Sequence, residues 1–299
     1  LTPVAKTQEE RDFFARHYET EFFFSALVFK KIDFISIMLE KVFRQNDDKT
    51  IEVLNKIRIN EDHREAVGYV NRNCYGINQE YAHIERDITL TTANYKAEKI
   101  NNTKLRTLQT PQFTYKAEVT GTFNTKIPTP QTLNLKVGSK VMFTKNAEDW
   151  VNGTLGEVVL LGKNIIKVKI NSTGKIFEVN KMTWENKKYQ LDPAGETLDN
   201  VVIGSFTQYP LTLAWAITIH KSQGLTLDNM RIDLDRGAFA AGQAYVALSR
   251  CKDLSLVSLT RPIKMSDVKL DKRVVEFYKS LEPEEDVVDF EELEPKEEN

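Results

Sequence analysis

The sequence predicts an α/β protein in which a small β unit interrupts a larger domain. Three observations carry this prediction. Helical and strand patterns alternate through the N-terminal part, short β-branched runs divided by glycines fill residues 131–205, and α/β texture returns from 206 to 281. No internal repeat accompanies them.

Taken in order, Gln8 to Phe14 has helical period, and "FFFSALVF" (Phe22 to Phe29) reads as a buried strand or a helix start. "DFISIMLEKVFRQ" mixes apolar and polar residues so that strand and helix both stay open. "DDKTIEVLNKIRIN" is an amphipathic helix begun by an Asp cap, with Ile51, Leu54 and Ile57 or Arg58 along one side. "ITLTTANYKAEKINNTKL" is a strand that passes through a polar turn into a helix. Proline-rich "KIPTPQT" then marks the near edge of the β unit. Within that unit, "LNLKVGSKVMFTKN", "GTLGEVVLLG", "NIIKVKIN" and "KIFEVN" have the grammar of a small barrel, and "DPAGETLDN" marks its far side.

Three later or isolated stretches carry chemistry. The apolar run Leu211 to Ile219 ends abruptly in His220, Lys221, Ser222, Gln223 and Gly224. Pro210 before it and Gly224 after it fit a helix over 211–223, whereas its Thr and Ile content leaves a strand open. A capped helix explains Lys221 and Gly224 but not the whole polar cluster, which suits a grip on a nucleic acid backbone. "GQAYVALSRCKD" is helical in propensity and delivers Arg250 to the start of "LSLVSL". In "KVFRQND", Arg44 follows an apolar pair at another element end. An isolated Arg250 would pair with Asp253 on the surface. Arginine also suits phosphate, because its planar fork is always charged and donates bidentate hydrogen bonds.

Composition sets the context. The chain has 299 residues, 41% of them hydrophobic, and a net charge of −2. Ten acidic residues and one lysine lie between Glu282 and Asn299, so the rest carries +7, a balance compatible with a polyanionic partner. The acidic stretch reads as a disordered tail. Cys74 and Cys251 stand far apart, which argues against a disulfide framework and for a reducing, cytoplasmic compartment. No apolar stretch nears the about 20 residues that span a bilayer, so no membrane partner is expected. Because the chain begins with Leu1, it is expected to belong to a longer product.

"AITIHKSQGLTLD" followed by "GQAYVALSR" closely resembles motifs V and VI of the Pif-type and RecD-like DNA helicases, the 5′-to-3′ branch of helicase superfamily one. "VFRQND" resembles their motif IV, "LTTANYKAEKIN" the motif between IV and V, and "LTPV" the end of motif III. "LKVGSKVMFTKN" with "WVNGTLGEVV" resembles the SH3-like subdomain that these helicases insert in their second motor domain. The resemblance reaches to about Phe277. It implies a RecA-like second motor domain (residues 26–130 and 206–281) around an SH3-like barrel (131–205), with a remnant of the first motor domain at 1–25 and the acidic tail at 282–299.

The resemblance further implies that Arg44 and Arg250 reach the γ-phosphate of ATP across the domain cleft, with Gly224 at the cleft edge. Thr92, Asn94, His220, Lys221, Ser222 and Gln223 would face single-stranded DNA. Ala93 stands where the family often has another hydroxyl, which bears on Thr92 and Asn94. Asn152 and Thr154 flank the Gly153 of a barrel loop that would press on the DNA, although Asn-Gly is equally a hairpin signal. Trp150 beside it suits a base stack or the core. ATP and magnesium would serve the intact protein. The chain has no Gly-x-x-x-x-Gly-Lys-Ser/Thr loop, so it is expected to be inactive alone and to need an N-terminal motor domain as partner. The alternative is a stand-alone nucleic-acid-binding module.

Overall fold

The computed structural model describes residues 8–32, 34, 37, 41–45, 47–59, 62–75, 88–123, 127–191 and 198–281. The "LTPV" stretch and the acidic tail lie outside them. Helix α1 (Gln8–His17) is followed by two 3-10 turns, Phe23–Ser25 and Leu27–Lys30. The second stretch of the sequence is therefore not a buried strand. Of its described apolar residues, Phe23, Leu27 and Val28 are exposed, because short turns have no continuous face to bury.

Helices α2 (Asp48–Ile59) and α3 (His63–Cys74) pack together. The Asp47 carboxylate accepts from the Thr50 N–H at 2.7 Å, the expected cap, and Val53, Leu54 and Ile57 form the buried stripe. Strand β1 (Ile88–Thr91) leads through Thr92 and Ala93 into α4 (Asn94–Thr107), as the sequence predicts.

Between α4 and the next strand of this domain lies a β excursion. Its strands are β2 (Phe113–Lys116), β3 (Glu118–Gly121), β4 (Thr132–Leu135), β5 (Lys140–Phe143), β6 (Leu155–Leu161), β7 (Ile166–Ile170), β8 (Ile176–Glu178), β9 (Met182–Leu191), β10 (Leu198–Gln208) and β11 (Leu211–Leu213). They form an antiparallel sheet of order β11-β5-β6-β7-β8, a β3-β10-β9 sheet and a β2-β4 pair. Strands thus continue on both sides of the 131–205 span. The excursion has its own core, in which Leu135, Val141, Phe143, Val158, Val168 and Leu211 are buried.

The main sheet then resumes with β12 (Ala216–Thr218), β13 (Met230–Asp233) and β14 (Val257–Leu259), with the short helix α5 (Gln243–Leu248) before β14 and α6 (Lys272–Ser280) at the end. Its order is β12-β1-β13-β14 and all pairings are parallel.

The helix over 211–223 is overturned. Leu211–Leu213 closes the small sheet against β5, and Ala216–Thr218 joins the main sheet against β1. A segment buried on both faces in two successive sheets has no amphipathic period, so its apolar run mimics a buried helix. Its β-branched residues were the better signal. The edge strand β12 is covered by Asn101 of α4, whose side chain donates to the Ala216 carbonyl and accepts from the Ala216 N–H, both at 2.8 Å.

Candidate functional site

Residues 219–225 begin the connection from β12 to β13. After β12 the chain forms a compact turn: the Ser222 N–H reaches the Thr218 carbonyl at 3.1 Å, and the Leu225 N–H reaches the Ser222 carbonyl at 3.0 Å. Gly224 has φ +83°, a conformation that penalises any side chain bearing a Cβ. The turn leaves His220 partly exposed and Lys221 and Gln223 exposed.

Ser222 departs from the expected outward placement. It is fully buried, and its hydroxyl donates to the Ile219 carbonyl at 2.8 Å, so it holds the turn from within. Thr92 is likewise buried, whereas its neighbour Asn94 is exposed. The Ile219 N–H donates to the Thr91 carbonyl at 2.9 Å, which brings Asn94 and the His220–Gln223 turn to the same carboxyl edge of adjacent strands.

At the other end of this turn lie the two arginines, more than 200 residues apart in sequence. Arg44 donates from Nε to Thr226 Oγ1 at 3.1 Å and from Nη1 to the Ser249 carbonyl at 3.2 Å. Arg250 donates from Nε to the Val246 carbonyl at 2.8 Å, from Nη2 to Ser249 Oγ at 2.8 Å and from Nη1 to the Leu225 carbonyl at 3.5 Å. All these acceptors are neutral, and among the described residues neither arginine forms an ion pair. Burial and then the charge of Arg44 pull the Arg250 guanidinium below its ordinary value.

The surface pair between Arg250 and Asp253 does not form. Arg250 is only 8% exposed, and the Asp253 carboxylate instead accepts from the Ser255 N–H at 2.7 Å. Two guanidiniums brought together without a carboxylate make a site for an external anion with several oxygens. Sequence reasoning missed the groups that aim them: Thr226, Ser249 and Gln45. The Gln45 amide donates to the Ser249 and Cys251 carbonyls at 3.3 and 3.0 Å. Hydroxyls in "GLTLD" and "ALSRC" were the available signal.

The Asn152–Thr154 loop lies against the chain between the two clusters. It lines a groove of about 300 Å³ with Gly224, Leu225 and Thr226. Thr154 Oγ1 accepts from the Val151 N–H, an intraloop bond, while Asn152 is exposed. Gly153 has φ +95°, and a Cβ there would overlap the Leu225 side chain. Trp150 belongs to the core, its ring 4.4 Å from that of Phe143.

No family model matches the chain. It is 30% identical over 257 residues to the ATP-dependent DNA helicase Pif1 of Bdellovibrio bacteriovorus, an alignment covering 83% of this chain and 55% of that protein. It is 31% identical over 280 residues to the ATP-dependent DNA helicase PIF1 of Homo sapiens, covering 87% and 40%. The crystal structure of Pif1 helicase from Bacteroides in complex with ADP-AlF3 and ssDNA superposes with a TM-score of 0.72 at 34% identity, covering 93% of this chain and 64% of that one. The chain therefore spans about half the length of these relatives.

Proposed function

The chain is homologous to the Pif1 DNA helicases, and from that premise we propose that it forms the second motor half of an ATP-driven, 5′-to-3′ DNA helicase. In this reading the parallel sheet and its helices are the RecA-like motor domain, and the 113–213 excursion is its inserted SH3-like subdomain. The convergence of Arg44 and Arg250, unpaired with any described carboxylate, is the observation that carries the proposal. ATP is held between this half and a first motor domain that supplies the phosphate loop and magnesium. The two guanidiniums reach the γ-phosphate and stabilise charge that spreads over its oxygens in the transition state. Such arginines are worth about 10³ to 10⁵ in rate in related phosphoryl transfers.

Asn94, His220, Lys221 and Gln223 then track a single strand along the carboxyl edge of β12 and β1. The turn between Thr218 and Leu225 joins this track to Arg250 through the Leu225 carbonyl. The test compares DNA-stimulated ATP hydrolysis by the full-length protein and by residues 1–299 alone. Turnover is expected only in the full-length protein. Magnesium-dependent turnover by residues 1–299 alone would overturn the assignment.

A further inference from the structure

The carboxyl edge of the parallel sheet presents rings as well as charges. Phe239, in the loop after β13, is 60% exposed, and Tyr95, in the first turn of α4 after β1, is 63% exposed. His220 follows β12, the strand on the other side of β1 from β13, so the Tyr95 loop is the middle one in the strand order. Its ring is near-parallel to that of Phe239, at 22° with centroids 6.4 Å apart. Three adjacent parallel strands thus deliver one ring each to the edge where α/β sheets bind ligands.

Neither exposed ring sits on loose chain. The Phe239 N–H donates to Gln243 Oε1 at 3.0 Å, and Gln243 is fully buried. The preceding Ala238 N–H donates to Asp267 Oδ1 at 3.0 Å, and Asp267 is in turn bound by Arg261 and the Lys264 N–H. Gly237 lets this loop pass close to the carboxylate: it has φ +148°, and a Cβ there would lie 3.2 Å from Asp267 Oδ1. Tyr95 is held through its hydroxyl, which donates to Asp235 Oδ2 at 2.8 Å. An apolar ring held at the surface has part of its ordering cost met in advance and keeps apolar area in water, so cover by a flat partner is favourable.

The charges at this edge favour a base over a phosphate as the cover. Asp233 and Asp235 both lie here, and Lys96 binds each at 2.9 Å. These three groups leave one net negative charge beside Phe239 and Tyr95, whereas Lys221 lies on the neighbouring turn. Phosphates suit the lysine side, and the flat faces of the bases suit the rings.

We propose that Phe239 and Tyr95 form a base-stacking platform for single-stranded nucleic acid, a contact without sequence preference that supplements the backbone track. The inference rests on the single-strand reading above and adds two residues and a second kind of contact to it.

The test measures affinity of the full-length protein for a thymidine homopolymer and for an abasic strand of equal length. Stacking lost by alanine substitution is worth about 5- to 150-fold per base. Phe239→Ala is expected to weaken the homopolymer complex within that range, with the salt slope unchanged, and to alter abasic binding less than twofold. Tyr95→Phe keeps the ring and loses its tether, so it should bind more tightly than Tyr95→Ala and no more tightly than the wild type. Phe239→Trp should restore affinity, with indole emission quenched by the homopolymer and not by the abasic strand. If the wild type binds neither strand in a salt-dependent way, the single-strand reading falls, and the platform with it. If the wild type binds both and Phe239→Ala matches it on the homopolymer, the platform alone is wrong.

Discussion

Arg44 and Arg250 meet on one residue, Ser249: the first donates to its carbonyl at 3.2 Å and the second to its hydroxyl at 2.8 Å. This shared anchor gives Ser249 a positioning role that can be separated from charge. Arg250→Lys keeps the charge and loses the fork, so hydrolysis by the full-length protein should collapse while nucleotide-free strand binding persists. Ser249→Ala leaves both charges and frees one guanidinium nitrogen. A hydrogen bond to a charged group is worth about 1.5–3 kcal/mol, so kcat should fall about 10- to 100-fold with KM for ATP little changed. Ser249→Thr, which restores the hydroxyl, should recover most of it. Equal losses in kcat/KM and in melting temperature for the alanine and threonine variants would reduce Ser249 to a packing residue.

Gly153 connects the β excursion to the same region, because its missing Cβ makes room for Leu225, whose carbonyl accepts from Arg250. Gly153→Ala meets two penalties: a left-handed backbone at about 1–2 kcal/mol and an overlap with Leu225. In a double-mutant cycle followed by denaturant unfolding, Leu225→Ala should remove the second penalty and leave the first. Additive single effects would show that the loop and Leu225 do not press on each other.

Local signals in the sequence were reliable where one surface decided the element. The Asp47 cap and the stripe of Leu54 and Ile57 gave α2, and "ITLTTANYKAEKINNTKL" gave β1 and α4. They misled at Leu211–Gln223, where the largely buried run Leu211–Ile219 passes from one sheet into another and periodicity vanishes. The site divides in the same way. Arginine in two separate motifs could be singled out from the sequence, but the oxygens that aim them come from Thr226 and Ser249, whose proximity only the fold creates. Ser222 shows the converse. A hydroxyl in a polar run looks solvent-facing until the turn that requires it is seen.

The Asp267 carboxyl ties the loop before Phe239 to the rest of the domain, and this link titrates. Burial pushes its pKa up, but hydrogen bonds from Arg261, the Lys264 N–H and the Ala238 N–H outweigh burial and leave it below the ordinary carboxylate value. A folded-state value below the unfolded one means that the stabilisation is present above about pH 4 and is lost as pH falls through the folded value. Asp267→Asn should cost about 3 kcal/mol at neutral pH, since it leaves a partly enclosed Arg261 without its anion. Its melting temperature should also fall less than that of the wild type between about pH 5 and pH 2. Parallel acid profiles for the two proteins would mean that Asp267 carries no acid-sensitive stability.

The turn after β12 offers the sharpest separation of grip from scaffold, because its neighbours Lys221 and Ser222 point to opposite sides. Each phosphate neutralised on a single strand contributes about −0.7 to the slope of log K against log salt. Lys221→Ala, at an exposed position, should flatten the slope by about that amount and weaken homopolymers of different base to a similar degree, since phosphate contacts position a strand without reading it. Ser222→Ala removes a buried hydroxyl that donates to the Ile219 carbonyl, so its first effect is on the fold. The loss of one such bond is about 0.5–1.5 kcal/mol, and more if the carbonyl is left unpaired. The salt slope should then stay as in the wild type, because a neutral hydroxyl displaces no cation. Affinity titrations at several salt concentrations, run beside melting curves, resolve the two. An unchanged slope for Lys221→Ala in a folded protein would withdraw Lys221 from the strand. A fully stable Ser222→Ala that binds weakly would return Ser222 to the contact surface, against its burial in the turn.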